Sequence, residues 1–182
     1  MKPRIILDTK PFYITVQRLC HQLIENHNCF NNTCIIGIQP RGVYLAERLV
    51  IELQKILKTE IQFGRLDNTF YRDDFRSSER PLSPHTTDIN FLIENKNVVL
   101  IDDVMFTGRT IRAAMDALLD FGRPAKVELM VLVERRFSRE LPIQPDYVGL
   151  YVDSMEEEKV RVEWQENGGE DKIWIVPNKA NE

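Results

Sequence analysis

Two adjacent acids, Asp102 and Asp103, end a short apolar run, Val98-Val99-Leu100-Ile101, and are followed within a few residues by Thr107-Gly108-Arg109-Thr110. The Thr-Gly-Arg-Thr turn offers backbone N–H groups, two hydroxyls and a guanidinium where a helical pattern begins. That set makes a cradle for a monophosphate. It is not the nucleoside-triphosphate loop, which ends in Gly-Lys-Ser/Thr. The two carboxylates repel a phosphate, so they suit the hydroxyls of a sugar, or a metal ion bridging to them. Taken together, the stretch fits a phosphorylated sugar. A plainer reading, in which the acids cap the helix, uses the same residues.

A second turn, Gln39-Pro40-Arg41-Gly42, follows another apolar run, Cys34 to Ile38. If both turns open on one crevice, positive charge stands there at two separated points, and one phosphate and one diphosphate fit. Alone, the turn is equally compatible with a solvated arginine. Residues 71–90 form a long polar stretch with Arg72, Arg76 and Arg80 beside Asp73, Asp74 and Glu79. A polar loop of this length is functional or disordered. It is either a lid over an anionic substrate or a solvated surface loop. His21, His27 and His85 have no nucleophile beside them and no ligand spacing, so each reads as a satisfied or surface histidine. Trp164 and Trp174 read as packing residues.

These groups need elements to hold them. Runs of four or five apolar residues with no polar face suit strands buried on both sides of a parallel sheet. Such runs occur at Cys34–Ile38 and Val98–Ile101, and Val127–Val133 reads as another apolar strand. Ile111, Ala114, Met115, Leu118 and Leu119 make one helical stripe after the signature, stopped by Gly122 and Pro124. Val16, Leu19, Cys20, Leu23 and Ile24 predict a helix from about Thr9 to Asn26, and a further helix runs from Val43 to Leu57. Residues 1–12 read as a lead-in. Residues 61–70 read as a strand continuing into an edge, and residues 146–152 as another strand. Residues 160–164 and 173–176, around Asn167-Gly168-Gly169, read as a hairpin. The alternation predicts an α/β sandwich, mostly parallel, closed by an antiparallel C-terminal hairpin.

The 182 residues amount to one ordinary domain, 1–182, 43% hydrophobic and 29% charged. No apolar run approaches the roughly 20 residues that span a membrane, and the N-terminus has too short an apolar core for a signal peptide. Three cysteines without metal spacing read as reduced cytosolic thiols, with Cys20 and Cys34 in the core. The net charge of −4 argues against generic nucleic-acid binding, although residues 152–172 carry eight acids and three bases, leaving the remainder near +1.

The stretch VVLIDDVMFTGRT resembles the phosphoribosyl-diphosphate signature of type I phosphoribosyltransferases. The aromatic Phe106, followed by TGRTIRAAMDALLDFGRP, resembles one branch: the bifunctional pyrimidine-operon attenuator and uracil phosphoribosyltransferase (PyrR) family. LDNTFYRDDF (66–75) is similar to that family's lid, IGIQPRGVYLAERL (36–49) to its diphosphate loop, and RELPIQPDYVG (139–149) to its base-side segment. The resemblance covers about residues 16–176. It implies the type I phosphoribosyltransferase fold, with a mostly parallel central sheet flanked by helices, a small hood and the C-terminal hairpin. It implies that uracil and phosphoribosyl diphosphate give UMP and diphosphate with Mg²⁺ in the cytoplasm. By position, Phe106, Thr107, Gly108, Arg109 and Thr110 would hold the 5-phosphate. Asp102 and Asp103 would hold the ribose hydroxyls, steady positive charge on the sugar and, indirectly, the metal. Gln39, Pro40, Arg41 and Gly42 would hold diphosphate, and Arg72 would close over it. Val133, Arg135, Tyr147 and Val148 would flank the base. The resemblance also implies a homodimer or higher homo-oligomer, with no membrane partner, and binding of leader mRNA, for which Arg18, His21 and Arg139 are the candidates. Asn26, Gln39, Gln144 and Leu150 stand where RNA-binding relatives tend to be basic. A nucleotide-responsive RNA binder with vestigial catalysis and a purine phosphoribosyltransferase are the competing readings.

Overall fold

The computed structural model describes residues 2–74, 83–155 and 157–177. In chain order the elements are β1 (Arg4–Leu7), α1 (Thr9–His27), β2 (Thr33–Ile38), α2 (Gly42–Leu57), β3 (Gln62–Leu66), β4 (Asn97–Met105), α3 (Arg109–Leu118), β5 (Lys126–Arg135), β6 (Tyr147–Val152), β7 (Glu158–Glu163) and β8 (Lys172–Pro177). Five strands form a parallel sheet in the order β3-β2-β4-β5-β6, and β1-β8-β7 form a separate antiparallel sheet.

Strand residues alternate between two cores, as the period of two requires. Ile35, Val99, Ile101, Met130 and Leu132 pack with α1 and α2 in one. Cys34, Ile36, Val98, Leu100, Leu129 and Val131 pack with Ile111, Ala114, Ala117 and Leu118 of α3 in the other. Both sheet faces are covered, which is why these strands are apolar on both sides. Each fully buried Leu or Ile contributes roughly 1.5–3 kcal/mol.

Asp8 accepts from the Thr9 backbone N–H at 2.9 Å and caps α1. The small sheet joins the first core through Trp164, Ile173 and Ile175. Trp164 meets Phe12 of α1 edge-on, with centroids 5.4 Å apart, so it is a packing residue.

Four expectations need correction. Residues 4–7 are a strand, not a lead-in: Arg4 pairs with Ile175 and Leu7 with Ile173. The strand carrying the signature runs on to Met105, so Asp102 and Asp103 lie inside it. Val104 and Met105 still pair with Val133 and Glu134, which keeps the ladder going past the acids. The buried face of α3 includes Ala113 and Ala117, whereas Met115 and Leu119 are 43% and 61% exposed. The helix ends at Leu118 and tightens into a 3₁₀ turn before Gly122, which rotates Leu119 outward. Residues 67–70 leave the edge strand for a loop and a 3₁₀ turn.

Candidate active site

In a sheet of this kind the carboxyl ends of the strands are where ligands bind. The Gln39–Gly42 turn leaves β2 beside the end of β4, and the contact is very close. A Cβ on Gly42 would lie 2.3 Å from the Ile101 carbonyl oxygen and 2.9 Å from Asp102 Cα, so only glycine lets the turn press there. The Gln39–Pro40 peptide is cis. The two turns therefore share one crevice of about 550 Å³. Gln39, Pro40, Arg41, Arg72, Asp102, Asp103 and Thr110 line it, together with Asn68, Thr69, Ser83 and His85.

Beside it lies a hollow of about 260 Å³ formed by Val104 to Ile111 with Arg72, Asp74 and Asp102. Gly108 adopts φ +93, a left-handed conformation that glycine takes without steric cost. It turns the chain into α3, whose first-turn N–H groups have no helical acceptors. The Thr107 carbonyl accepts from Glu140 and Leu141 N–H, tying the cradle to the β5–β6 loop.

Two carboxylates, Asp73 and Asp74, hold the arginines of this hollow. Arg72 donates to both Asp74 oxygens, at 2.8 and 2.6 Å, and to Thr110 Oγ1 at 3.2 Å. Arg109 pairs with Asp73 and with Glu140. The Arg72 pairing holds the Asp74 carboxyl below its ordinary value, and the Asp74 carboxylate keeps Arg72 charged.

Asp102 and Asp103 are both 7% exposed. Asp102 accepts from the Asp103 N–H at 2.9 Å, and Asp103 Oδ1 accepts from the Val104 N–H at 2.7 Å. Asp103 Oδ2 is buried without a donor. Burial, and then the neighbouring Asp103 charge, push Asp102 well above the ordinary carboxylate range. Burial also raises Asp103, with Arg41 opposing it. An orphaned buried acceptor on an acid pair facing a crevice fits an arriving hydroxyl donor or cation. The crevice supplies two carboxylates, and among the described residues no three His, Cys, Asp or Glu side chains converge on a metal position. A cation here would draw its other ligands from substrate oxygens.

On the base side the placements diverge. Phe106 follows the strand into the turn, and its ring lies against the Arg135 guanidinium, 3.9 Å from the centroid. Val133 is fully buried inside the sheet. Arg135 is buried and donates to Ser154 Oγ and the Glu158 carbonyl. Tyr147 does not reach the crevice. It pairs with Met130 at the amino end of β6, and its hydroxyl donates to Glu128 at 3.0 Å and lies 3.2 Å from His27 Nε2. Val148 sits one residue on, pairs with Val131, and packs against the core on the α3 side. A Tyr-Val pair at a strand start resembles a base wall in sequence, but its pleat phase and depth turn it into the fold.

Arg76, Arg80 and Glu79 of the lid lie outside the described residues. Sequence reasoning missed Asn68, Thr69, Ser83 and His85. Asn68 donates to the Thr110 carbonyl at 2.8 Å. His85 comes to the crevice because the returning chain pairs with β3 through Arg65 and Asp88. No local signal distinguished it. Arg18 donates to the carbonyls of Val148 and Gly149, and Arg139 to the Phe106 carbonyl and Glu134. His21 is exposed on α1.

The sequence profile of the phosphoribosyl transferase domain matches residues 4–167. "Bifunctional protein PyrR" of Desulfosudis oleivorans is 46% identical over 170 residues, covering 93% of this chain and 94% of its own. The protein of that name from Actinobacillus pleuropneumoniae serotype 5b is 43% identical over 176 residues, covering 97% and 98%, and that from Enterococcus faecalis OG1RF is 41% identical over the full length of both. The chain belongs to the PyrR family of phosphoribosyltransferases. Among solved structures, the hypoxanthine phosphoribosyltransferase of Trypanosoma cruzi superposes with a TM-score of 0.70 at 13% identity, covering 96% of each chain. That of Staphylococcus aureus gives 0.68 at 20% identity, covering 93% of this chain and 90% of its own. At such identities the likeness concerns the fold, the type I phosphoribosyltransferase architecture. No helix among the described residues of this family member is long and apolar enough to cross a membrane.

Proposed function

We propose that the chain transfers a phosphoribosyl group from phosphoribosyl diphosphate to uracil, giving UMP and diphosphate. The observation that carries this reading is the shared crevice. Gly42 packed on Asp102 brings the Arg41 turn, the acid pair and Thr110 to one cavity. In this reading Thr107 to Thr110 hold the 5-phosphate by backbone N–H groups and hydroxyls. Gln39 to Gly42 hold the diphosphate, and Arg72 closes over it. Asp102 and Asp103 accept from the ribose hydroxyls and stabilise the cationic sugar that forms as the glycosidic carbon leaves diphosphate and has not yet bonded the base. The chemistry is positioning and charge stabilisation. Asp102 and Asp103 would hold Mg²⁺ indirectly, through substrate oxygens, and the ion would supply charge neutralisation for the diphosphate. Incubating the protein with phosphoribosyl diphosphate, Mg²⁺ and labelled uracil should yield UMP. No UMP from folded protein would overturn the assignment.

The word bifunctional in the relatives' name favours a second activity, and binding of a pyrimidine-operon leader mRNA is the one the family resemblance implies. Phosphate contacts by Arg18 and Arg139 would require both to leave the carbonyls they now hold, with His21 free beside Arg18. Gel shifts of leader RNA with and without UMP test this, and weak, strongly salt-dependent binding is expected. Sedimentation of the purified chain tests the accompanying proposal of a homodimer or larger assembly.

A further inference from the structure

We propose that Phe106 supplies a face on which the base stacks, and that Arg135, packed over the ring, is a positioning residue that holds it there. The inference rests on the phosphoribosyltransferase reading above and deepens it. Phe106 lines the phosphate hollow, where Asp102 and Thr110 also stand. It equally lines an adjoining cavity of about 380 Å³ bounded by Arg135, Ser138, Arg139 and Ser154. The ring thus stands at the boundary between the sugar-phosphate site and the next hollow, where a group bonded to the sugar has to go.

Phe106 as a residue is 42% exposed, and apolar surface left in water is a cost that a flat ligand would relieve. Its backbone is fixed from one side: Arg139 donates to its carbonyl at 2.5 Å and to Glu134 at 2.6 Å. Arg135 packs over the ring. The exposed remainder is available to a planar heteroaromatic ring, and stacking on an aromatic face is the general way proteins hold one.

Arg135 is an expensive way to support a phenyl ring. It is 5% exposed, and its hydrogen bonds go to neutral oxygens: Ser154 Oγ at 2.8 Å, the Glu158 carbonyl at 3.0 Å and the Met155 carbonyl at 3.5 Å. Desolvation of this cation outweighs the help of the Glu158 carboxylate, which makes no direct ion pair with it, and an apolar side chain of similar volume would serve the core as well or better. What the guanidinium adds is geometry. One rigid plane fixes the end of β5, the loop after β6, the start of β7 and the ring of Phe106.

The test uses full-length protein and steady-state kinetics with uracil and phosphoribosyl diphosphate varied separately. Phe106→Leu should raise the KM for uracil about tenfold and leave the KM for phosphoribosyl diphosphate within about twofold. Phe106→Tyr keeps the ring and should raise the uracil KM less than Phe106→Leu does. Arg135→Lys should raise the uracil KM about fivefold. The double variant Phe106→Leu/Arg135→Lys should be no worse than Phe106→Leu alone, because the arginine acts through the ring. An unchanged uracil KM in Phe106→Leu, an equal rise in both KM values, or multiplicative effects in the double variant would overturn the proposal. If Arg135→Lys melts below the assay temperature, Arg135→Gln replaces it. A wild type that uses hypoxanthine and not uracil overturns the uracil assignment alone, and the same variants must then shift the hypoxanthine KM. A wild type that uses no base overturns both.

Discussion

Asp102 and Asp103 sit in a part of the fold that stability alone would not fill with acids. Both are buried side by side, and one of their oxygens has no donor. Their role is therefore best separated from folding by substitution. Asp103→Asn should lower turnover at least 100-fold, about 2.7 kcal/mol of lost transition-state stabilisation. Its melting temperature should stay at or above that of the wild type. Loss of folding with normal specific activity in the surviving protein would contradict this. Asp102 makes the sign explicit. Its folded-state pKa lies above the unfolded value, so the folded state is favoured while the acid is protonated, below the ordinary carboxylate range. That contribution is lost as pH rises through the raised folded pKa. Asp102→Asn should accordingly stabilise the apoprotein at neutral pH, by about 1–3 kcal/mol. The gain should shrink as pH falls towards 4, and calorimetry across that range checks it. Activity of the wild type should rise with pH over the same window.

The turn at residues 39–42 and the Arg72–Asp74 pair set what the acids can hold. Gly42→Ala places a methyl against the backbone of β4 and should raise the KM for phosphoribosyl diphosphate about tenfold or more, with about 1–3 kcal/mol of destabilisation. Wild-type affinity in Gly42→Ala would show that the turn does not have to touch the strand. Asp74 holds Arg72 through both carboxylate oxygens, and in the proposed reading an entering phosphate needs that arginine. Asp74→Asn should lower the KM for phosphoribosyl diphosphate severalfold, and the gain should fade with salt as an ionic competition must. These elements were readable to different depths. Strand, turn and helix around residues 98–118 were legible because an unbroken apolar run, two acids and a glycine turn leave few alternatives. The β1 strand was not, because Arg4–Leu7 is short and half-exposed, and its pairing with β8 lies at the opposite end of the chain. Among site residues, Arg72 and Arg41 were recognisable beside their motifs. His85 and Asn68 reach the crevice only through tertiary pairing. Tyr147 was misplaced because strand phase and depth are set by the partner β5, which a local segment does not reveal.

At the scale of the whole molecule the sheet has two poles. Its carboxyl end gathers the polar residues that line the crevice. Its amino end holds a closed ionic cluster in which His27 lies 2.7 Å from Glu128 while Tyr147, Asn26 and Thr33 complete the bonding. Burial would raise Glu128, but Lys126, Tyr147 and His27 hold it below its ordinary value. That contribution is therefore present above the unfolded pKa and lost as pH falls through the folded one. His27→Ala should cost about 3 kcal/mol of stability and leave both KM values near wild type, because the cluster belongs to the other pole. Thermal unfolding beside kinetics separates the two effects. The acid-lined crevice belongs to the first pole, and its chemistry is read by diphosphate release from phosphoribosyl diphosphate and Mg²⁺, run in parallel with uracil, hypoxanthine, guanine and no base. Release is expected with uracil, matched mole for mole by UMP, and background with the other three. Release with a purine alone, or none with any base, would contradict the uracil assignment.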